Sequence, residues 1–516
     1  MTKNPQYSQR YKAYVLLILT GVYTFNFIDR QILVIIQESI KAELGLSDTQ
    51  LGLLTGFTFA VFYVTLGLPI ARFADKNNRR NVVTWSLAIW SGMTAISGLV
   101  TNFFQLLLAR VGVGVGEAGG SPPAHSMISD YFPAHQRATA LSIYSMGIYV
   151  GILAGYSLGG WIDATYGWRM AFYALGIPGI IYALLLFFTV KEPPKGHSDE
   201  AAKLLAKAEG SSGTKISDLE GNSSPKEASF WEVVRILLSK KTFIFVAFAC
   251  GLHTFGNYGV GNFFAPFLAR VHGMPVEDIG TWLGITSGFG GIIGTFLGGF
   301  LADKYGKKDL RWYMWIPMIA GALNCPVSYF AFFHDNLNVV LVTYFMTALL
   351  TALYLGPSIA ITHNLIDAKK RALASAILFL VLNFIGLGLG PLGIGIISDY
   401  LSADYGAESL RYAFTITWLT GVLSIILFYF GSKTYQEEAL VKKVAITKKE
   451  NKVSDMGPIL NIVLGVFLLF VVGLFFLQMG LAGVNVLGMS LWILVLIGLL
   501  FASGVYLTAK GYLNGE

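Results

Sequence analysis

Residues 103–137 read FFQLLLARVGVGVGEAGGSPPAHSMISDYFPAHQR, and this stretch decides how the rest of the chain is understood. It opens as an apolar helix long enough to enter a bilayer, yet Arg110 and Glu117 lie inside the apolar part. Seven residues make almost two helical turns, so both side chains fall on roughly one face. Gly112, Gly114 and Gly116 between them remove side-chain bulk and let neighbouring backbones come close. An ionised group at membrane depth is costly unless paired or wetted, and is read first as a functional site. The plainer alternative is a structural Arg–Glu pair that only pins helices together.

Composition agrees with a membrane setting. Of 516 residues, 54% are hydrophobic and 13% charged, and the mean hydropathy is +0.60. These values describe an integral membrane protein. The net charge of +7 suggests Lys and Arg gathered in cytoplasmic loops rather than a nucleic-acid partner. Cys250 and Cys325 both lie in apolar segments, so neither a disulfide framework nor a metal cluster is expected. The N-terminal MTKNPQYSQRYK lacks the short apolar core of a cleaved signal, and the first apolar stretch reads as a span. No P-loop, HExxH or nucleophile elbow is present, which speaks against ATP-driven transport, an enzyme or a resident cofactor.

A span needs roughly 20 apolar residues. On that measure spans fall near 13–35, 49–71, 82–101, 103–127, 138–162 and 169–190, then near 242–269, 278–301, 312–333, 338–363, 371–398 and 409–431. A further pair lies near 458–478 and 484–508. The expected organisation is an N-terminal six-helix bundle (1–190), a cytoplasmic linker (191–241), a C-terminal six-helix bundle (242–432), a basic linker (433–457) and a two-helix hairpin (458–516). The first linker is rich in Pro, Gly, Ser and charge; Asp199 to Glu209 can form a short surface helix, and FWEVVRILLSKK (Phe230 to Lys241) should lie along the inner interface. Arg72, Lys76, Arg79 and Arg80, then Lys304, Lys307, Lys308 and Arg311, then Lys369, Lys370 and Arg371, crowd the loops of one side. The other side holds only Lys41, Arg169, Arg270 and Arg411. The positive-inside rule places both termini in the cytoplasm, in a cell (inner) membrane.

The halves repeat. ARFADKNNRR (Ala71 to Arg80) and GFLADKYGKK (Gly299 to Lys308) follow the second span of each half, the mark of a duplicated six-span unit around a central site. These loops resemble the signature of the major facilitator superfamily. The second copy fits at Gly299, Asp303, Lys304, Gly306, Lys307 and Lys308; the first keeps Asp75, Lys76, Arg79 and Arg80 but has Ala71 and Asn78 in place of glycines. The resemblance implies a cytoplasmic latch that opens as the halves rock. Gly151, Gly155, Gly159 and Gly160 are similar to the glycine pattern of superfamily antiporters, with Tyr156 where a proline is usual, and Gly386 to Asp399 looks like its partner in the second half. For all these glycines plain helix packing is the stronger reading. NFIDRQ (Asn26 to Gln31), residues 110–137 and RATALSIYSMGIYVGILAGYSLGG further resemble the spinster lipid transporters. That likeness covers spans one to twelve. It implies an all-α fold of two six-helix bundles, here with two extra C-terminal helices, and proton-coupled alternating access for a lysophospholipid or sphingoid-type lipid. Efflux of amphipathic drugs, symport of organic anions, and a sensor that kept the fold are the rival functions.

Asp29 and Arg30 sit inside an apolar span, about 100° apart around the helix, so they cannot face one partner in the same way. One of them is expected to reach Arg110 and Glu117, making Asp29, Arg30, Arg110 and Glu117 a coupled proton-handling cluster. Burial and a nearby arginine act oppositely on such carboxylates. Asn26, Tyr144, Tyr149, His253, Asn257, Tyr258 and Asn383 are candidate cavity contacts, although interhelical hydrogen bonding explains each at least as well. The expected cavity carries charge on its first-half wall and is apolar elsewhere, in a monomer whose partners are substrate, protons and membrane lipid.

Overall fold

The computed structural model describes residues 7–195, 230–367 and 370–446, and every regular element among them is helical. In the first half these are α1 (Gln9–Leu44), α2 (Asp48–Gly52), α3 (Thr58–Lys76), α4 (Arg79–Ile96), α5 (Phe103–Glu117), α6 (Ser121–Tyr131), α7 (Ala134–Tyr166) and α8 (Trp168–Thr189). The second half holds α9 (Phe230–Leu238), α10 (Lys241–His272), α11 (Val276–Gly306), α12 (Trp312–Phe333), α13 (Leu337–Ala352), α14 (Leu355–Leu365), α15 (Arg371–Leu382), α16 (Gly390–Tyr405), α17 (Ser409–Ala413) and α18 (Ile416–Ile446). Among the described residues, ten segments are long and apolar enough to cross a membrane. Residues 199–209, Lys369, the end of the basic linker and the expected spans at 458–478 and 484–508 lie outside the described residues.

The expected single span at 103–127 is instead two helices. α5 ends at Glu117, Ala118 to Gly120 form a turn, and α6 begins with Pro122 and Pro123 in its first turn. A proline there lacks only an N–H that would be unsatisfied anyway, but its ring bars the helix from continuing upstream. Residues 371–436 are broken similarly, by a π-turn at Asn383–Leu389 ahead of Pro391. Elsewhere helices overrun the expected bounds. α1 has 36 residues, so it is about 54 Å long and stands clear of a ~30 Å hydrocarbon layer at its ends.

The end that carries the start of α1, the end of α8 and helix α9 is the linker end; the other is the far end. One apolar cluster at the far end draws on both halves, from Ile32, Leu51 and Tyr156 to Phe264, Tyr344 and Phe414. Toward the linker end the core divides. One cluster holds first-half residues with Leu387 alone crossing over among its buried members, and another holds second-half residues with Val233 and Leu237 of α9. The helix pairs that join the halves therefore meet at the far end. A Cβ on Gly52 would lie 2.5 Å from the Pro391 carbonyl oxygen, and one on Gly160 2.6 Å from that of Val276.

Glycine also seats the opening stretch. A Cβ on Gly116 would lie 2.7 Å from the Trp90 backbone nitrogen, and one on Gly114 3.2 Å from the Phe59 carbonyl oxygen, so α5 packs backbone-close on α4 and α3. Gly116→Val should cost about 1–3 kcal/mol and lower the Tm of the detergent-purified protein. Gly92→Ala, with no atom within 4 Å of the added methyl, should leave it unchanged.

Candidate transport site

Four charges meet where α1 passes the broken fourth segment. Glu117 is the last residue of α5, and its Oε2 accepts from Arg30 Nε at 2.7 Å. A carboxylate at a helix C-terminus faces the negative end of the dipole, so its charge depends on that arginine. The Glu117 side chain is fully buried while that of Arg30 keeps 16% exposure. The Arg30 guanidinium lies 5.0 Å from the Phe27 ring, 4.7 Å from Phe59 and 5.0 Å from Tyr63. These faces attract the cation. Arg110 Nη1 donates to the Asp29 main-chain carbonyl at 3.4 Å. The Asp29 carboxylate is fully buried with both oxygens lacking a hydrogen bond, near the Ser91 and Thr94 hydroxyls but outside bonding geometry. The expected gathering of Asp29, Arg30, Arg110 and Glu117 therefore occurs, with division of labour: Arg30 faces α3 and the central space, Asp29 faces α4. Two acids and two bases leave the set formally neutral, yet only one ion pair is formed.

A cavity of about 350 Å³ lies beside this cluster. Tyr149, His253, Asn257 and Tyr258 line it as expected; Asn26, Tyr144 and Asn383 do not. Asn26 is buried near Glu117. Tyr144 is stacked on Tyr23, centroids 4.5 Å apart, and serves the first-half core. Asn383 opens the π-turn. Both expected walls are also corrected: none of the four charged residues lines the cavity, and Asn262, Ser287, Asn324, Ser328, Thr347 and Thr351 put neutral polar groups along a second-half wall expected to be apolar. Sequence periodicity hid these residues, since single Ser, Thr and Asn in apolar helices are ordinary interhelical hydrogen bonders.

At the linker end the signature loops are anchored within their own halves. Arg79 is buried and donates to Asp130 at 2.5 Å, Glu192 at 2.7 Å and the Pro193 carbonyl at 2.8 Å. Arg80 donates its backbone N–H to Glu192 at 2.8 Å. Asn78, which stands where the signature has a glycine, caps α4 by accepting from the Asn81 N–H at 2.9 Å. Asp75 and Lys76 are exposed. In the second copy Asp303 accepts from the Tyr313 hydroxyl at 2.7 Å, Lys304 sits by the Phe300 and Tyr305 rings, and Lys307 and Lys308 are exposed. Among the described residues, the ion pairs of these loops and of α9 (Arg79–Asp130, Arg79–Glu192, Arg311–Asp309, Lys370–Glu232) each stay inside one half.

The ion pairs between halves lie at the far end, among residues that in the sequence are only scattered charges or loop positions. Arg270 of α10 forks onto Glu38 at 2.5 and 2.8 Å and onto Asp48 at 2.7 and 2.8 Å. Lys41 adds a donor to Asp48 at 2.5 Å, and Ser398 another at 2.7 Å. Asp399 accepts the N–H groups that open α2, from Asp48 at 2.9 Å and Thr49 at 2.7 Å. Carboxylates at a helix N-terminus and forked arginine pairs are among the stronger polar contacts. The sequence signals were Arg270 and Lys41, two cations on a charge-poor side. The molecule is thus closed at the far end and parted at the linker end.

The Major Facilitator Superfamily model matches residues 19–328 and 246–514. The chain is 30% identical over 424 residues to an MFS-type efflux pump of Mycolicibacterium smegmatis, spanning 82% of this chain and 93% of that one. It is 28% identical over 321 residues to the probable galactarate/D-glucarate transporter of Bacillus subtilis, spanning 60% of this chain and 69% of that one. The crystal structure of a bacterial homologue of the human lysosomal transporter spinster, inward-facing and unoccupied, superposes with a TM-score of 0.74 at 32% identity, covering 84% of this chain and 99% of that one.

Removing the Arg270 fork should loosen the far end. With Cys250 and Cys325 replaced, Asn262→Cys should react several-fold faster with a membrane-impermeant maleimide added at the far side once Arg270→Gln is introduced; an unchanged rate would contradict the lock.

Proposed function

The chain belongs to the Major Facilitator Superfamily, a family of transporters and not enzymes, and on that premise we propose that it is a proton-coupled secondary transporter of amphiphilic lipids, lysophospholipid or sphingoid in type. The substrate class is the one implied by the resemblance of residues 26–31 and 110–137 to the spinster lipid transporters, and the likeness to a spinster homologue agrees with that resemblance. The observation that carries the mechanism is the Arg30–Glu117 pair beside a buried Asp29 whose carboxylate has no hydrogen bond. A carboxylate held without solvent or partner is poised to exchange a proton, and removing one member of a buried pair leaves a charge costing about 3–5 kcal/mol. Protonation of Glu117 releases Arg30, whereas protonation of Asp29, whose carboxylate has no bonding partner to give up, changes only the charge that Arg110 faces. Arg30, the partly exposed member, then offers its free nitrogens to an anionic headgroup in the central space. Binding and proton exchange bias the same two-state rocking of the halves, which is what coupling requires.

The remaining architecture follows from this reading. α5 and α6 together make one interrupted span, and residues 371–446 make two, giving a twelve-span core of two six-helix bundles. A discontinuous helix carrying the functional charge at mid-depth is a familiar way to build such a site. The basic loops support a reading with both termini and the linker on the cytoplasmic side of a cell membrane and α9 along its surface, in which the parted end faces inward. The signature loops at Asp75 to Arg80 and Asp303 to Lys308 act as the gate of that end, re-engaging across the halves when the far-end lock breaks. A monomer suffices for this cycle. Efflux of amphipathic drugs or symport of organic anions is the alternative, favoured by the likeness to an efflux pump and to a sugar-acid transporter.

Proteoliposomes test the assignment. Adding lysophospholipid should move protons in the wild type, and Glu117→Gln should cut that flux at least tenfold while the protein stays monodisperse. Lipid transport without proton movement would overturn the coupling, and a response to sugar acids or cationic drugs but to no lysolipid would replace the substrate.

A further inference from the structure

The cavity wall of the second half has a chemistry that a lipid tail does not use. Among the described residues no Asp, Glu, Lys or Arg lines the cavity, yet it is edged by Gln31, Asn257, His253 and Tyr149. Asn257 stands exposed in the middle of α10, far from either helix end, and the hydrogen bond it accepts from Thr351 Oγ1 is long, at 3.4 Å. His253 Nε2 lies 2.7 Å from the Thr351 carbonyl oxygen. A carbonyl only accepts, so this nitrogen carries the hydrogen and the neutral ring presents Nδ1 as an acceptor. Tyr149 reaches Thr295 at 3.3 Å from the opposite half. The cavity approaches the charged cluster through Gln31, the residue after Arg30, and through Tyr258, which lies near enough to Arg30 to feel its charge.

Carboxamides that both donate and accept, next to a ring nitrogen that accepts, match a group with the same dual character. A full charge has no counter-charge here. A hydrocarbon would leave the Asn257 amide hydrogens and the His253 Nδ1 without partners, which costs more than any gain from contact. A hydroxyl both donates and accepts, and two neighbouring hydroxyls pair with one carboxamide in the way a single donor cannot. We infer that Asn257, His253 and Gln31 form a neutral subsite that takes a hydroxyl-bearing, polyol-like group, while the anionic group of the same substrate lies on Arg30. This rests on the proposed reading of Arg30 as the anion site and adds the substrate's second recognition element. It sets specificity: substrates joining an anion to vicinal hydroxyls are preferred over those whose headgroup lacks them.

Two probes of equal charge and chain length separate the ideas: dodecyl glyceryl phosphate and dodecyl propyl phosphate, which differ only in two hydroxyls. In competition against a radiolabelled lysophospholipid on purified protein, the glyceryl compound should bind about tenfold more tightly. Asn257→Leu and His253→Phe should each erase most of that ratio while leaving the propyl compound within about twofold of its wild-type affinity. Arg30→Ala should weaken both compounds alike, which tests the anion site separately. Thermal melting of each variant controls for folding, and Asn257→Gln, which keeps the carboxamide, should retain part of the ratio. Equal wild-type affinities, or a ratio that survives in both Asn257→Leu and His253→Phe, would overturn the subsite. Failure of the wild type to bind either phosphate would overturn the lipid reading and this assignment with it. Gluconate competing as well as the glyceryl compound would support the polyol subsite while removing the need for a tail.

Discussion

A single ion pair in a dry place, Arg30 on Glu117 at 2.7 Å, constrains much of the first half. Glu117 needs the pair because it ends a helix, where the dipole disfavours its charge. The helix must end there because Pro122 and Pro123 open the next one. α5 must lie close against α3 and α4 for its polar face to reach α1, and Gly114 and Gly116 supply that closeness. Arg30 in turn is held by three aromatic rings and keeps a small opening to the central space. Helix break, glycine spacing and aromatic lining thus serve one arrangement, in which charge is tolerated at depth because every element around it is placed for that purpose.

The second organising feature is the asymmetry between the ends. Apolar packing and the Arg270 fork join the halves at the far end, whereas at the linker end each half has its own core and its own ion pairs. For both states of a rocking cycle to be populated, opening the far end must be offset by new bonding at the linker end; otherwise one state would dominate. The signature loops hold donors for that exchange: Lys76, Lys307 and Lys308 are exposed, while Arg79 already fixes α4, α6 and the segment after α8 into one rigid unit. On the proposed coupling, substrate and proton would need to shift the balance by only a few kcal/mol to move the population.

Much of this was legible in the sequence for physical reasons. Charges inside apolar segments are rare enough to be informative, so Asp29, Arg30, Arg110 and Glu117 stood out, and the duplicated loops fixed the pseudo-symmetry. The break after Glu117 was written in Ser121-Pro122-Pro123 but was overruled by the hydropathy of the flanks. The far-end lock was not legible, because Glu38, Asp48, Arg270 and Asp399 lie in separate segments and each alone resembles a solvated loop charge. The neutral cavity wall was hidden for the opposite reason: Asn324, Thr347 and Ser328 look like routine helix glue until the helices are placed around a common space. Tyr144 misled because a tyrosine in a span carries the same signal whether its ring packs in the core or lines a cavity.

The claim on which the rest turns is that protonation within the Asp29–Arg30–Arg110–Glu117 cluster sets the balance between the two ends. Spin labels on either side of the far end, one near Gly45 and one near Gly406, report it directly through their distance distribution by pulsed electron resonance in nanodiscs. The distribution should shift between short and long distances as pH is changed in the wild type, and the shift should vanish when Asp29→Asn and Glu117→Gln are combined. A pH-dependent shift that survives in that double variant, or a wild-type distribution that ignores pH, would contradict it.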